Sequence, residues 1–140
     1  MEKEFRFEIT SIVFEKARTK AVFKRILEIL VSEGVETVEI TYGFAWGNEI
    51  YESDWLPIST DSSKIEEMVE VETQKGSGEI GSDDFYIVIK NEPLRIQVCH
   101  ENDIHIEYDT ESEILKKIKT AINPEEWAWI KEKGEKNGQW

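Results

Sequence analysis

The chain has 140 residues, 39% of them apolar and including six Phe, four Tyr and five Trp. This is the length of one ordinary domain with material for one core, which excludes a wholly disordered acidic chain. Thirty acidic residues against 17 basic ones leave a formal charge of −13, a field that repels phosphates and anionic lipid, so direct binding to nucleic acid or a membrane surface is not expected.

Cys99 is the only cysteine, so no disulfide can close within the chain and stability must come from packing. Met1–Thr10 is charged throughout and is followed by no apolar h-region, and no apolar run approaches the length of a spanning helix; the expected compartment is the cytoplasm.

In chain order, Phe5, Phe7 and Ile9 alternate with Arg6, Glu8 and Thr10, the pattern of a strand with one wet face. Over Thr19–Glu33 the period lengthens, and Val22, Phe23, Ile26, Leu27 and Leu30 mark an amphipathic helix with Gly34 as its C′ residue. Its opening is basic (Lys16, Arg18, Lys20, Lys24, Arg25), against the usual dipole preference. The basic charges therefore serve either to offset acidity elsewhere or to make a contact. Val38, Ile40 and Tyr42 alternate as a second strand, extended toward Phe44 and Trp46 with a bulge or hairpin at Gly43 and Gly47. Residues 48–59, with Trp55, Leu56 and Pro57, read as an ordered loop.

Ser63 and Glu66 resemble a capping box for a helix of about two turns, followed by a strand at Val69–Thr73. Gly76, Gly78 and Gly81 mark a flexible turn. Three alternating segments then follow within Asp84–Asp109, the signature of an antiparallel meander. A loop of Glu101, Asn102 and Asp103 would set Val98 opposite Ile106 and Cys99 opposite His105, with His100 on the apolar face. Thr110 and Glu113 suggest a cap for a helix with Ile114, Leu115, Ile118, Ala121 and Ile122 on its buried stripe. Asn123, Pro124, Glu125 and Glu126 carry the start signals of a further helix that would bury Trp127 and Ile130. Together these segments specify an α+β single domain over residues 1–133: a mainly antiparallel twisted sheet with a β-α-β opening, a central meander and two C-terminal helices. A flexible tail is expected at 134–140.

Both histidines and the only cysteine fall within residues 99–105. Cys99, His105 and Glu107 share one predicted face, the alternative catalytic set of a small hydrolase or the ligands of a zinc ion. The abundant carboxylates oppose thiolate formation, however, and the ligand set looks incomplete. Asp83 and Asp84 would need Asp54 or Glu101 to hold a hard cation, and they match no calcium-loop spacing. The three nearby glycines lack a nucleotide fingerprint. Neither a metal nor a cofactor is therefore expected, and the balance is against an enzyme.

From Glu49 to Asp84 there are eleven acidic residues against Lys64 and Lys75, and from Cys99 to Glu113 six against none. One acidic surface built from these stretches would steer a basic protein and suits an inhibitor, such as an immunity protein against a nuclease-type toxin. The expected partner-binding residues are Asp83, Asp84, Glu101, Asp103 and Glu107, with Trp55 as aromatic anchor. A non-catalytic structural protein whose charge only keeps it soluble is the remaining alternative.

Overall fold

The computed structural model describes residues 5–43, 46, 57–91 and 93–132. Within them the chain runs β1 (Phe7–Ser11), α1 (Lys16–Ser32), β2 (Thr37–Tyr42), β3 (Ile58–Asp61), a 3₁₀ turn (Ser62–Lys64), α2 (Ile65–Gln74), β4 (Phe85–Ile89), β5 (Leu94–Val98) and β6 (Ile104–Tyr108). It closes with α3 (Glu113–Lys119), a second 3₁₀ turn (Pro124–Glu126) and β7 (Trp127–Glu132). The described part is thus α+β, with seven strands in one sheet ordered β3-β2-β4-β5-β6-β1-β7 and every strand pair antiparallel. Alternating directions make β1 and β2 run the same way, but β4, β5 and β6 lie between them. The helix joining them is therefore a crossover spanning much of the sheet.

The period-two patterns converge on a row of isoleucines, one from each strand: Ile58, Ile40, Ile87, Ile96, Ile106, Ile9 and Ile130 stand opposite one another in turn. The five in the middle are buried under the helices, whereas Ile130 at the β7 edge is 59% exposed. Each fully buried member contributes roughly 1.5–3 kcal/mol relative to exposure. From the helix side, Val22, Phe23, Ile26, Leu27 and Leu30 of α1, Ile65 and Val69 of α2, and Leu115 and Ile118 of α3 complete the core.

Gly34 ends α1 as its spacing requires. With φ at +76°, it lets Val35 N–H donate to Leu30 O and Gly34 N–H to Val31 O, the paired bonds of a Schellman motif. The basic opening of α1 is turned onto carboxylates of the same chain. Lys16 and Lys20 both reach Glu79, Arg18 donates to Glu126 at 2.7 Å, and Lys24 lies 3.9 Å from Glu66.

Several expectations need correction. Val69–Thr73 is not a strand but the second half of α2; Ile65, Met68 and Val69 recur at helical spacing, and this period outweighs the β-propensity of two valines and a threonine. The cap there is Asp61, which accepts from Ser63 N–H at 2.9 Å, and α3 is capped by Ser112 rather than Thr110. The second C-terminal helix is absent. Asn123–Glu126 makes one 3₁₀ turn, with Glu126 accepting from Asn123 N–H at 2.8 Å, and the chain then extends as β7 along β1. Without β7 the outer edge of β1 would lack its ladder partners, and Trp127, Trp129 and Ile130 suit a strand better than an isolated short helix. Ile130 is consequently exposed rather than buried, whereas Trp127 still packs partly buried against the core. The expected tail at 134–140 lies outside the described residues.

The meander is correct in its faces and displaced in its pairing. Val98 pairs with Ile104, Ile96 with Ile106 and Leu94 with Tyr108, a shift of two residues that keeps the apolar side chains of β5 and β6 on the core face. Cys99 N–H donates to Asp103 O and Asn102 N–H to Cys99 O, so the loop is His100-Glu101-Asn102. Asn102, at φ +66°, occupies the left-handed position that such a three-residue loop requires. No described helix is long and apolar enough to cross a membrane.

Candidate functional site

Opposite the helix-packed side, the sheet turns a polar face outward. Its central row runs Trp129, Thr10, His105, Gln97, Tyr86 and Thr41 across β7, β1, β6, β5, β4 and β2. The neighbouring row holds Glu8, Glu107, Arg95, Val88 and Glu39. Arg95 pairs with Glu107 at 3.5 Å and lays its guanidinium over the Tyr86 ring at 4.8 Å. Glu107 thus lies two rows from the Cys99–Asp103 end of the hairpin and is held by a cation.

At that end the polar face gathers Asp84, Cys99, His100, Asp103 and His105. The two-residue shift sets Cys99 opposite Asp103 and moves His105 opposite Gln97. His105 is fixed through both ring nitrogens: Nδ1 lies 2.7 Å from Glu8 Oε2 and Nε2 lies 3.2 Å from Asp103 Oδ1. Thr10 Oγ1 is a third neighbour, 3.3 Å from Nδ1. His100 is not a core-edge residue. It is exposed in the loop, where its backbone N–H donates to Asp84 Oδ1 at 2.9 Å and its Nδ1 lies 3.1 Å from the same oxygen.

These contacts set the electrostatics. Burial alone would raise Asp84, but the backbone and ring of His100 outweigh it and hold the carboxyl below its usual range; Asp84 in turn raises His100. The Cys99 thiol is pushed up to about 12, by burial first and then by Asp103 and Asp84. Its nearest imidazole contact is His100 Nδ1, 3.7 Å from Sγ. A buried thiol facing carboxylates is a poor nucleophile, and the expected Cys99–His105–Glu107 constellation does not come together as a relay. Two triads of potential metal donors do form among the described residues, Asp84–Cys99–His100 and Cys99–Asp103–His105, with the ligand atoms of each triad within 4.8 Å of one another.

The expected partner-binding residues divide into three groups. Asp84, Glu101 and Asp103 lie at the β5–β6 turn, with Asp83 adjacent in sequence, although Asp103 is only 8% exposed and the Asp83 carboxylate turns to Glu79, accepting its N–H at 2.9 Å. Glu107 stands apart, and Trp55 lies outside the described residues. Sequence reasoning missed the links of His105 to Glu8 and of His100 to Asp84, because they join segments 97 and 16 residues apart. The Cys99–Asp103 pairing did leave a signal in Asn102, a residue type that tolerates the left-handed turn position. Comparisons with protein-family models, curated proteins and solved structures return no match.

Proposed function

We propose that the protein is a non-catalytic interaction module that binds and inhibits a basic protein in the cytoplasm, as an immunity protein does against a nuclease-type toxin. The observation that carries this reading is the gathering of Asp84, Glu101 and Asp103 at the β5–β6 end of the sheet, with Asp83 next to Asp84 in the chain, in a protein of net charge −13. Carboxylates so gathered raise the encounter rate with a cationic surface and repel a competing nucleic acid. Glu101, exposed at the loop tip, is the member best able to touch a partner. Asp103 acts only through its field, and Trp55 is retained as the proposed aromatic anchor. The thiol-hydrolase alternative has no comparable support, since Glu107 is bound to Arg95 and the thiol is held protonated.

Stopped-flow association with a panel of basic ribonucleases and DNase domains, each assayed for inhibition, tests the reading. A saturable complex at an ionic strength of about 0.15 M is expected, with an association rate that falls as salt rises. Glu101→Gln should slow association and flatten that salt dependence. Trp55→Ala should speed dissociation by about 2 kcal/mol or more while leaving the unfolding free energy of the free protein intact. Association that responds neither to salt nor to Glu101→Gln would remove the electrostatic basis of the proposal.

A further inference from the structure

Of the two donor triads that share Cys99, one is built on strands and braced from outside. Cys99 follows β5 directly, Asp103 precedes β6, and His105 lies within β6. The bond from Cys99 N–H to Asp103 O at 2.9 Å ties the first two together, and the strand alternation sends Asp103 and His105 to the same polar face. We propose that Cys99 Sγ, Asp103 Oδ1 and His105 Nε2 form a three-ligand site for zinc or a chemically similar divalent transition ion, with Glu8 as the outer carboxylate that orients His105.

Three observations support the assignment independently of the proposed function. First, His105 Nε2 and Asp103 Oδ1 are 3.2 Å apart, and the three donor atoms lie within 4.8 Å of one another. A tetrahedral ion with bonds of about 2.0–2.3 Å needs ligand atoms about 3.3–3.8 Å apart, so one ion can reach all three with side-chain adjustment alone. Second, Glu8 Oε2 sits 2.7 Å from His105 Nδ1. A hydrogen bond there places the ring proton on Nδ1 and turns the Nε2 lone pair toward Cys99 and Asp103, the arrangement in which a metal-bound histidine is held by an outer carboxylate. Third, the donor set is sulfur, imidazole nitrogen and carboxylate oxygen, which selects a zinc-like ion over magnesium or calcium. The Asp103 carboxylate beside Cys99 adds negative charge that favours a dication there; on binding, the thiol proton passes to solvent and a sulfur–metal bond replaces it.

The Asp84–Cys99–His100 triad is the weaker competitor. His100 stands on the exposed loop and its Nδ1 faces Asp84 at 3.1 Å; no outer carboxylate is described on its other nitrogen.

The test uses the full chain, reduced, with cobalt(II) alone and then zinc(II) as the competing ion. One equivalent of cobalt should bind with a thiolate-to-cobalt charge-transfer band, and zinc should displace it. Cys99→Ser should abolish that band. Glu8→Gln should lower affinity about 10–100-fold, and His105→Gln and Asp103→Asn should lower it at least as much, while Asp84→Asn and His100→Gln leave it unchanged. Urea unfolding of each metal-free variant separates a lost site from a lost fold. Should Cys99→Ser fail to fold, the His105→Gln and Glu8→Gln variants, at partly buried positions on the polar face, still decide the question. No stoichiometric binding, cobalt bound without the charge-transfer band, or loss of affinity through His100→Gln but not His105→Gln would each overturn the assignment.

Discussion

Gly78 has no side chain because Trp46 occupies the space one would take. The indole is fully buried, packs edge-on against Tyr42 with ring centres 5.0 Å apart, and donates its N–H to Asp84 O at 2.8 Å. A Cβ built on Gly78 would lie 2.6 Å from that ring, closer than carbon atoms can approach without one of them moving. Gly78→Ala should therefore cost about 1–3 kcal/mol of stability, and Trp46→Ala about 3–5 kcal/mol. In a Trp46→Leu background the obstructing ring is gone, so the further cost of Gly78→Ala should shrink. Urea unfolding of both single variants and the double variant measures this coupling. The contact also bears on the site, because Trp46 holds the backbone of Asp84, whose carboxylate receives both His100 contacts.

The β5–β6 hairpin shows how a local turn sets the chemistry at its end. Asn102 adopts φ +66°, and its carbonyl accepts from Phe14 N–H at 2.8 Å, docking the loop against the segment ahead of α1. Its side-chain Oδ1 is buried with no hydrogen-bond partner among the described residues. Asn102→Gly should then be nearly neutral or stabilising, since glycine adopts this conformation freely and the unsatisfied oxygen is removed. Asn102→Ala keeps a Cβ in the left-handed region and should cost about 1–2 kcal/mol. Thermal unfolding of the two variants distinguishes turn geometry from side-chain bonding; an equal loss in both would show that the Asn102 side chain itself holds the hairpin.

Across the whole molecule, the surplus of negative charge coexists with a network that uses carboxylates locally. Glu79 is held below its ordinary value of 4.5, chiefly by hydrogen bonds from Lys20 and then Lys16. Glu126 is lowered first by Asn123 N–H and then by Arg18. A carboxyl depressed in the folded state contributes stability above its unfolded pKa and loses it as pH falls through the folded one. Stability should accordingly decline in the acid range below about 4.5, and Glu79→Gln should weaken that decline because its share no longer titrates. Both groups are near the surface, so the difference should be small and should diminish with added salt. Urea midpoints taken between neutral pH and about 3 give the comparison; an unchanged acid slope in Glu79→Gln would mean that its two lysine contacts do not favour the folded state.

What could be decided from residues alone was local periodicity. Strands with one wet face, the 3.6-residue stripes of α1 and α3 and the glycine stop at Gly34 are short-range patterns imposed by backbone geometry, and they persist in the fold. The polar face of the meander was equally legible, because even a two-residue error in pairing preserves which side each residue faces. The tertiary structure decided what depends on distant partners. Residues 127–132 became a strand because β1 offered an edge, and Val69–Thr73 stayed helical because Ile65 and Val69 had a core to enter. Glu8 reached His105 because β1 pairs with β6 across nearly the whole chain, while the pairing beside Asn102 put Asp103, rather than Glu107, next to Cys99. Spacing along the chain carries the period of an element; which side chains meet across a sheet follows from strand order and register, and those are settled only when the separate apolar faces close on one core.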